Sequence, residues 1–355
     1  MTTVGGSFVS TNYLANSLVA PVMQAQSQLT SAMTELSTGE YANLGLQLGD
    51  QSGYELSLKE QVGQLQTLTT GNRVLSTSLS TAQNALSAIQ TTAQTTLDNL
   101  AGSTQDANSG VSLQAMGQSG LQSLISAANT TSGDQYVFGG INSAVAPMAN
   151  YYSTPTSAAK TAVDQAFQIT FGVLPTDPGA ANISASDMQS FLSGPFAALF
   201  TGASWTDNWS SASSVDTSAE IAPGQTLTTS TNANQAGFQQ LAQAYAMLSE
   251  FDGSALSSDA QQAVATDAAS LVSQGVDSMI NLQAELGSTQ SAVTNANSSM
   301  SSQLTILQGQ LGNLDNVNTT ATAAQITSLT NQVQMAYELT TRLSQLNLAQ
   351  YLPVA

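Results

Sequence analysis

The acids Asp207, Asp216 and Glu220, close in sequence to Trp205 and Trp209, form the one grouping whose residue types suit a reaction. Two carboxylates beside aromatic rings are the equipment of a glycosidase. The competing reading is three solvated surface acids. The glycine-rich stretch Gly45-Leu46-Gln47-Leu48-Gly49 lacks the Lys-Ser/Thr pair of a phosphate-binding loop, so nucleotide binding gains no support. Asn-x-Ser/Thr triplets such as Asn208-Trp209-Ser210 are what chance gives in so Ser/Thr-rich a chain.

The strongest chemical statement is subtractive. Among 355 residues there is no cysteine and no histidine. Disulfides, thiolate chemistry, histidine-based nucleophile systems, histidine zinc sites and the His-Glu-x-x-His peptidase helix are all ruled out. The expectation is a protein with no catalytic residue, no metal and no cofactor.

The elements that would carry any site are mostly helices. From Tyr54 to Leu100, Tyr54, Leu58, Leu65, Leu68, Leu75, Leu79, Ala82, Leu86, Ile89, Ala93 and Leu100 recur with a 3.5-residue period, the signature of a coiled-coil seam. Gln61, Asn72 and Thr96 occupy the remaining seam positions, and a lone seam Asn commonly sets register. Val264, Leu271, Met279, Leu282, Leu286, Val293, Ala296, Met300, Leu304, Leu307, Leu311 and Leu314 repeat the pattern near the other end, with a stutter after Met300. Shorter amphipathic stretches flank both arms: Leu14, Leu18, Val22, Leu29, Met33 and Leu36, then Ile326, Leu329, Val333, Ala336, Leu339, Leu343 and Leu346. Pro21 falls inside the first, so that helix is expected to start or kink there. Val111 to Ile125 reads as a further helix, and Gln135 to Phe138 as a strand entering a turn.

Residues 146–232 differ in character. They hold six of the eight prolines, both tryptophans and many phenylalanines, which predicts a compact, separately cored module. Ala158 to Phe171 and Ser186 to Phe200 suit short helices, and Gln225 to Ser230 a strand. The fold class is therefore mainly α: a long antiparallel helical hairpin or coiled-coil bundle built from both termini, with a mixed α/β insert at its tip. Its expected divisions are 1–50, 51–145, 146–232, 233–314 and 315–355.

Charge bounds the partners. Only 7% of residues are charged, where about 25% is usual. Four basic residues against 22 acidic ones give −18. Nucleic acid and anionic membrane are poor partners for such a surface, and no apolar run is long enough to span a bilayer. The start, Met1 to Ser7, lacks a basic segment and an apolar one, so a cleaved secretory signal is not expected.

Several segments resemble the flagellin family, which includes the hook-associated junction proteins. Val9-Ser10-Thr11-Asn12 is similar to its opening motif, and Leu36-Ser37-Thr38-Gly39 to its Leu-Ser-Ser/Thr-Gly segment. Asp134-Gln135-Tyr136-Val137-Phe138-Gly139-Gly140 is similar to the segment closing its first arm. Leu343 to Leu352 resembles the Leu-Ser-Leu…Tyr-Leu ending of the hook-associated protein 3 branch. Asn208 to Ser213 and Ser230 to Asn234 look like the middle region of alphaproteobacterial junction proteins. Glu40-Tyr41 departs from the family, where a basic residue often follows the Ser-Gly step.

The resemblance implies a structural, self-assembling protein of the bacterial flagellum. It implies export without a cleaved signal through the type III apparatus, with a chaperone, to an extracellular place at the hook–filament junction. The implied partners are other copies in a ring, flagellin, and hook-associated protein 1. Assembly contacts are expected from apolar residues of the terminal helices: Leu14, Leu18, Leu29, Met33, Leu339, Leu343, Leu346 and Tyr351. Two alternatives stand beside this: a major flagellin of the filament, and an adhesin or glycan-binding module that displays Trp205 and Trp209 on the insert.

Overall fold

The computed structural model describes residues 11–103, 113–251 and 255–345. In chain order the elements begin with α1 (Thr11–Thr38), α2 (Leu44–Leu48), the long α3 (Ser52–Ser103) and α4 (Leu113–Ala128). A two-residue hairpin, β1 (Thr131–Ser132) and β2 (Gln135–Tyr136), leads into α5 (Ala158–Phe171), α6 (Ala185–Phe191) and α7 (Gly202–Asn208). A second hairpin, β3 (Ser218–Ala222) and β4 (Gln225–Thr228), precedes α8 (Ala236–Phe251), α9 (Ser258–Asp315) and α10 (Thr319–Gln345). The mainly helical class expected from the heptads is found, with small antiparallel sheets confined to the connecting region.

The chain divides into two compact units, one of residues 1–64 and 302–355, the other of 65–301. The cut through α9 falls just after Met300, where the apolar period stutters.

In the 65–301 unit, α3 and α9 run antiparallel and are joined along their length by polar side chains. The Asn72 amide donates to the Asn297 side-chain oxygen at 2.9 Å and to the Ile221 carbonyl at 2.7 Å. Gln83 donates to the Gln283 carbonyl, and Gln283 to Gln90. The seam Asn therefore ties α3, α9 and β3 together while only 2% exposed. Thr96 is buried in the same seam and returns its hydroxyl to the Thr92 carbonyl.

Helices α4 and α8 complete the bundle and meet through glycines. A Cβ on Gly117 would lie 2.6 Å from the Ser249 backbone nitrogen, and one on Gly120 2.5 Å from the Tyr245 ring. No residue larger than glycine lets the two helices approach so closely. Helix α8 is deeply buried, with Gln239, Gln240, Gln243 and Glu250 along its one half-buried side, and was not anticipated as a separate helix.

The 146–232 segment is not separately cored, contrary to expectation. Tyr151, Phe167, Phe191, Phe196, Phe200, Trp205 and Trp209 belong to one cluster with Leu86, Ile125, Phe238, Phe251 and Val264. Large rings bury more area against helices already present than a segment of this length could bury alone. Ala158 to Phe171 forms α5 as expected, capped by the Ser157 hydroxyl. The stretch expected as one helix over Ser186 to Phe200 is instead α6, a π-turn around Pro195 and a 3-10 turn, because proline lacks the amide hydrogen that a regular α-helix requires there.

In the other unit, α1 and α10 pack against each other. Helix α1 runs through Pro21 rather than starting there. It ends at Gly39, whose φ of +78° suits glycine alone among common residues. That turn is stitched to the α9–α10 connection: the Val317 amide donates to the Gly39 carbonyl and the Tyr41 amide to the Asp315 carbonyl, both at 2.9 Å. Lys59 pairs with Glu55 and, at 3.2 Å, with the buried Asp315.

Here the seam of α3 is out of phase with the expectation. Tyr54 is 53% exposed and Gln61 lies on the solvent side, while Glu55 and Val62 take the inward positions. The inward set 55, 58, 62, 65 keeps the 3–4 rhythm equally well, and the Lys59 ion pairs favour Glu55 over Tyr54. Tyr54 instead reaches Gln310 through its hydroxyl.

Candidate assembly surface

The α1–α10 pair has one filled seam, flanked by exposed apolar side chains. On α10 the inward residues are Thr322, Ile326, Leu329, Val333 and Ala336, in strict alternation of fours and threes. Their counterparts on α1 are Val22, Ala25, Leu29 and Ala32. Burial of two such stripes against each other contributes about 25 cal/mol per Å² of apolar area. Gln26 and Tyr337 add a hydrogen bond across the pair.

Beyond this seam, apolar side chains remain uncovered. Met23 is 64% exposed, Met33 52% and Leu339 48%, accompanied by Val19, Leu36, Met335 and Tyr337. On α1 the residues Val19, Met23 and Met33 belong to a second stripe, displaced from the seam by about a third of a turn. Of the expected assembly residues, Leu29 lies in the seam, whereas Met33 and Leu339 face outward. Leu14 and Leu18 fall on α1 and Leu343 on α10, but their side chains, and all of Leu346 and Tyr351, lie outside the described residues. Val19, Met23, Met335 and Tyr337 were not singled out from sequence. Only the phase of α10 against α1 separates inward from outward residues here, and one helix's pattern does not contain it.

The surface beside these stripes is neutral and internally satisfied. Thr30, Thr34 and Thr38 each return the hydroxyl hydrogen to the carbonyl four residues earlier, at 2.9–3.0 Å. Such a face loses few water hydrogen bonds when covered.

Two of the three acids that might have done chemistry, Asp216 and Glu220, have structural duties. The Asp216 carboxylate accepts from Asn232 at 3.0 Å and Ser230 at 3.3 Å, and Glu220 accepts from the Gly224 amide at 2.7 Å, closing the β3–β4 turn. Both tryptophans are buried, each 1% exposed, and stack on each other with centroids 5.9 Å apart. The displayed-aromatic surface that an adhesin reading requires is therefore absent, and that alternative falls.

Trp205 instead serves the joint between two sequence motifs. Asn234 accepts from Trp205 Nε1 at 2.9 Å and from Ser210 at 2.6 Å, and donates to the Ala212 carbonyl and to Ser214. Asn208 to Ser213 and Ser230 to Asn234 thus lock onto one another.

Comparison with known families decides the class of this molecule. The profile of the bacterial flagellin N-terminal helical region matches residues 9–143, and that of the bacterial flagellin C-terminal helical region matches residues 269–352. Together they cover more than half of the chain. The chain belongs to the flagellin family. As a flagellin-family protein it is a structural component of the bacterial flagellum, on the outside of the cell. A solved structure from Vibrio parahaemolyticus, described as a flagellar hook-associated protein, is similar at 12% identity and a TM-score of 0.49, over 75% of this chain and 97% of that one. Comparison with curated protein sequences gives no match. Among the described residues no helix is long and apolar enough to cross a membrane, and no group of three or more acids could hold a metal ion.

Proposed function

We propose that this flagellin-family chain is a hook–filament junction protein of the hook-associated protein 3 type, without catalytic activity. It forms a ring of like subunits between hook-associated protein 1 and the first flagellin subunits. Export runs through the type III apparatus with a dedicated chaperone, and no part of the chain inserts in a membrane. The observation that carries the assembly reading is the set of exposed apolar side chains Val19, Met23, Met33, Met335, Tyr337 and Leu339 flanking a seam already filled within the chain. Exposed apolar side chains along paired helices call for a protein neighbour. The preference for junction over filament rests on the likeness of Leu343 to Leu352 to the junction branch. The expected divisions at 50, 145, 232 and 314 belong to this proposal as the parts that would meet different neighbours.

Antibody labelling along intact flagella tests the reading. A single band of label at the hook–filament boundary is expected; label along the whole filament would make the chain a major flagellin instead. Met33→Glu with Leu339→Glu, and separately a polar substitution at Leu343, should leave the monomer folded and abolish stable filament attachment. Motile, fully flagellated cells carrying these variants would overturn the proposal.

A further inference from the structure

The chain has four cations, and their placement is unequal. Lys59 is held by Glu55 and Asp315, and Lys160 by Asp164 at 3.3 Å and Glu250 at 2.7 Å, so each lysine already meets two carboxylates of its own chain. Arg342 sits in the last turn of α10, where a positive charge offsets the helix dipole. Arg73 has no such role. Among the described residues it makes no ion pair, and it lies exposed on α3, in a chain with 22 acids.

Its surroundings form a groove of about 600 Å³ lined by Thr69, Arg73 and Ser76 of α3 and by Asn297, Ser298 and Ser301 of α9. One wall is fixed in register, because Asn297 accepts from the buried Asn72. Thr69 and Ser298 spend their hydroxyl hydrogens on the Leu65 and Thr294 carbonyls. The guanidinium is thus the groove's strong donor, held on helices that need no reordering when a ligand arrives.

We propose that Arg73 is the docking point for a carboxylate on a second copy of this chain, seated in the Thr69–Ser301 groove. The proposal rests on the assembly reading above. Charge argues for this occupant. Copies carrying −18 each repel at close range, and any contact between their polar faces needs a positive group opposite one of the many acids. Nucleic acid would meet the same repulsion without relief. Arginine suits the task, since its planar fork binds a carboxylate through two parallel hydrogen bonds and needs little desolvation.

The test uses the full-length protein. In an assembling mixture of ¹⁴N- and ¹⁵N-labelled Arg73→Lys copies, a zero-length carbodiimide should join residue 73 of one copy to an acidic residue of another, read by mass spectrometry. Arg73→Gln should raise the concentration needed for assembly about two- to fivefold and flatten its salt dependence. Assembly of Arg73→Gln at the wild-type concentration with unchanged salt dependence, or cross-links confined to one copy or to another protein, would overturn the Arg73 proposal while leaving self-assembly standing. A wild-type chain that stays monomeric alone and with flagellar partners would overturn both.

Discussion

Replacing Asn72 by alanine should destabilise the 65–301 unit by about 2–4 kcal/mol. The amide donates two hydrogen bonds from a position that is 2% exposed. Its acceptor on β3, the Ile221 carbonyl, belongs to a residue with no exposed surface, so losing the donor costs most of a buried acceptor's desolvation, roughly 1–3 kcal/mol. Asn297 is half-buried and water can replace part of its loss, leaving about 0.5–1.5 kcal/mol. For a unit of this size each kcal/mol moves the midpoint by about 2–4 °C, so a fall of roughly 5–15 °C is expected in a thermal melt of dilute monomer followed by circular dichroism. Asn72→Leu separates hydrogen bonding from packing: it refills the volume but supplies no donor, so it should recover little. A midpoint within about 2 °C of wild type for Asn72→Ala, or full recovery by Asn72→Leu, would refute the assignment of this asparagine as a hydrogen-bonded tie.

Glycines should divide by neighbourhood. Gly117→Ala forces a Cβ against the α8 backbone and should cost about 1–3 kcal/mol in denaturant unfolding, whereas Gly71→Ala, with nothing within 4 Å, should stabilise α3 by about 0.5–1 kcal/mol. The Lys59 ammonium is held above its ordinary value of 10.5, first by its hydrogen bond to Glu55; burial opposes this, and the hydrogen bond and charge of Asp315 add to the rise. The folded state grips the proton more tightly, so this stabilisation is complete below that value and is lost as pH rises beyond it. Protease cleavage near the α9–α10 connection should accordingly increase at strongly alkaline pH in wild type, and at neutral pH in Lys59→Met. Burial pushes the Tyr152 and Tyr245 phenols up to about 12 from 10.0. The stability they contribute is present below pH 10 and lost between 10 and 12, so absorbance at 295 nm should show these two titrating together with unfolding, later than exposed tyrosines.

Much of the architecture was legible because a 3.5-residue period is written in one helix alone. Leu58, Leu79, Leu86 and Ile89 are buried where the period puts them. Phase is harder, since apolar residues on both flanks permit two registers: Tyr54 and Gln61 scan as well as Glu55 and Val62, and only the ion pairs of Lys59 choose. The aromatic residues of the 146–232 segment were legible as core but not as whose core, because burial partners distant in sequence leave no local mark. The assembly surface suffers from both problems. Leu29 and Met33 lie one turn apart and look alike in sequence, yet only their position relative to Leu329 and Val333 separates a filled seam from an open stripe.

The low charge of this chain has a structural meaning that composition alone suggests only loosely. Thr77, Thr81, Thr91, Thr92 and Thr95 along α3, and Thr289 and Thr294 along α9, all return their hydroxyl hydrogen to the carbonyl one turn back. A lysine or glutamate in these places would have to be paired or stripped of water at a cost of several kcal/mol before a neighbour could cover it. A threonine that is already satisfied can be covered for little, and its methyl group adds apolar area to the contact. Helices clothed in this way remain wetted as monomers yet stand ready to be buried, so specificity must come from the few exposed apolar side chains and unpaired charges. In the terminal pair those are Met23, Met33 and Leu339; on the arms, Arg73 stands out in a surface otherwise without unpaired positive charge among the described residues of the 65–301 unit.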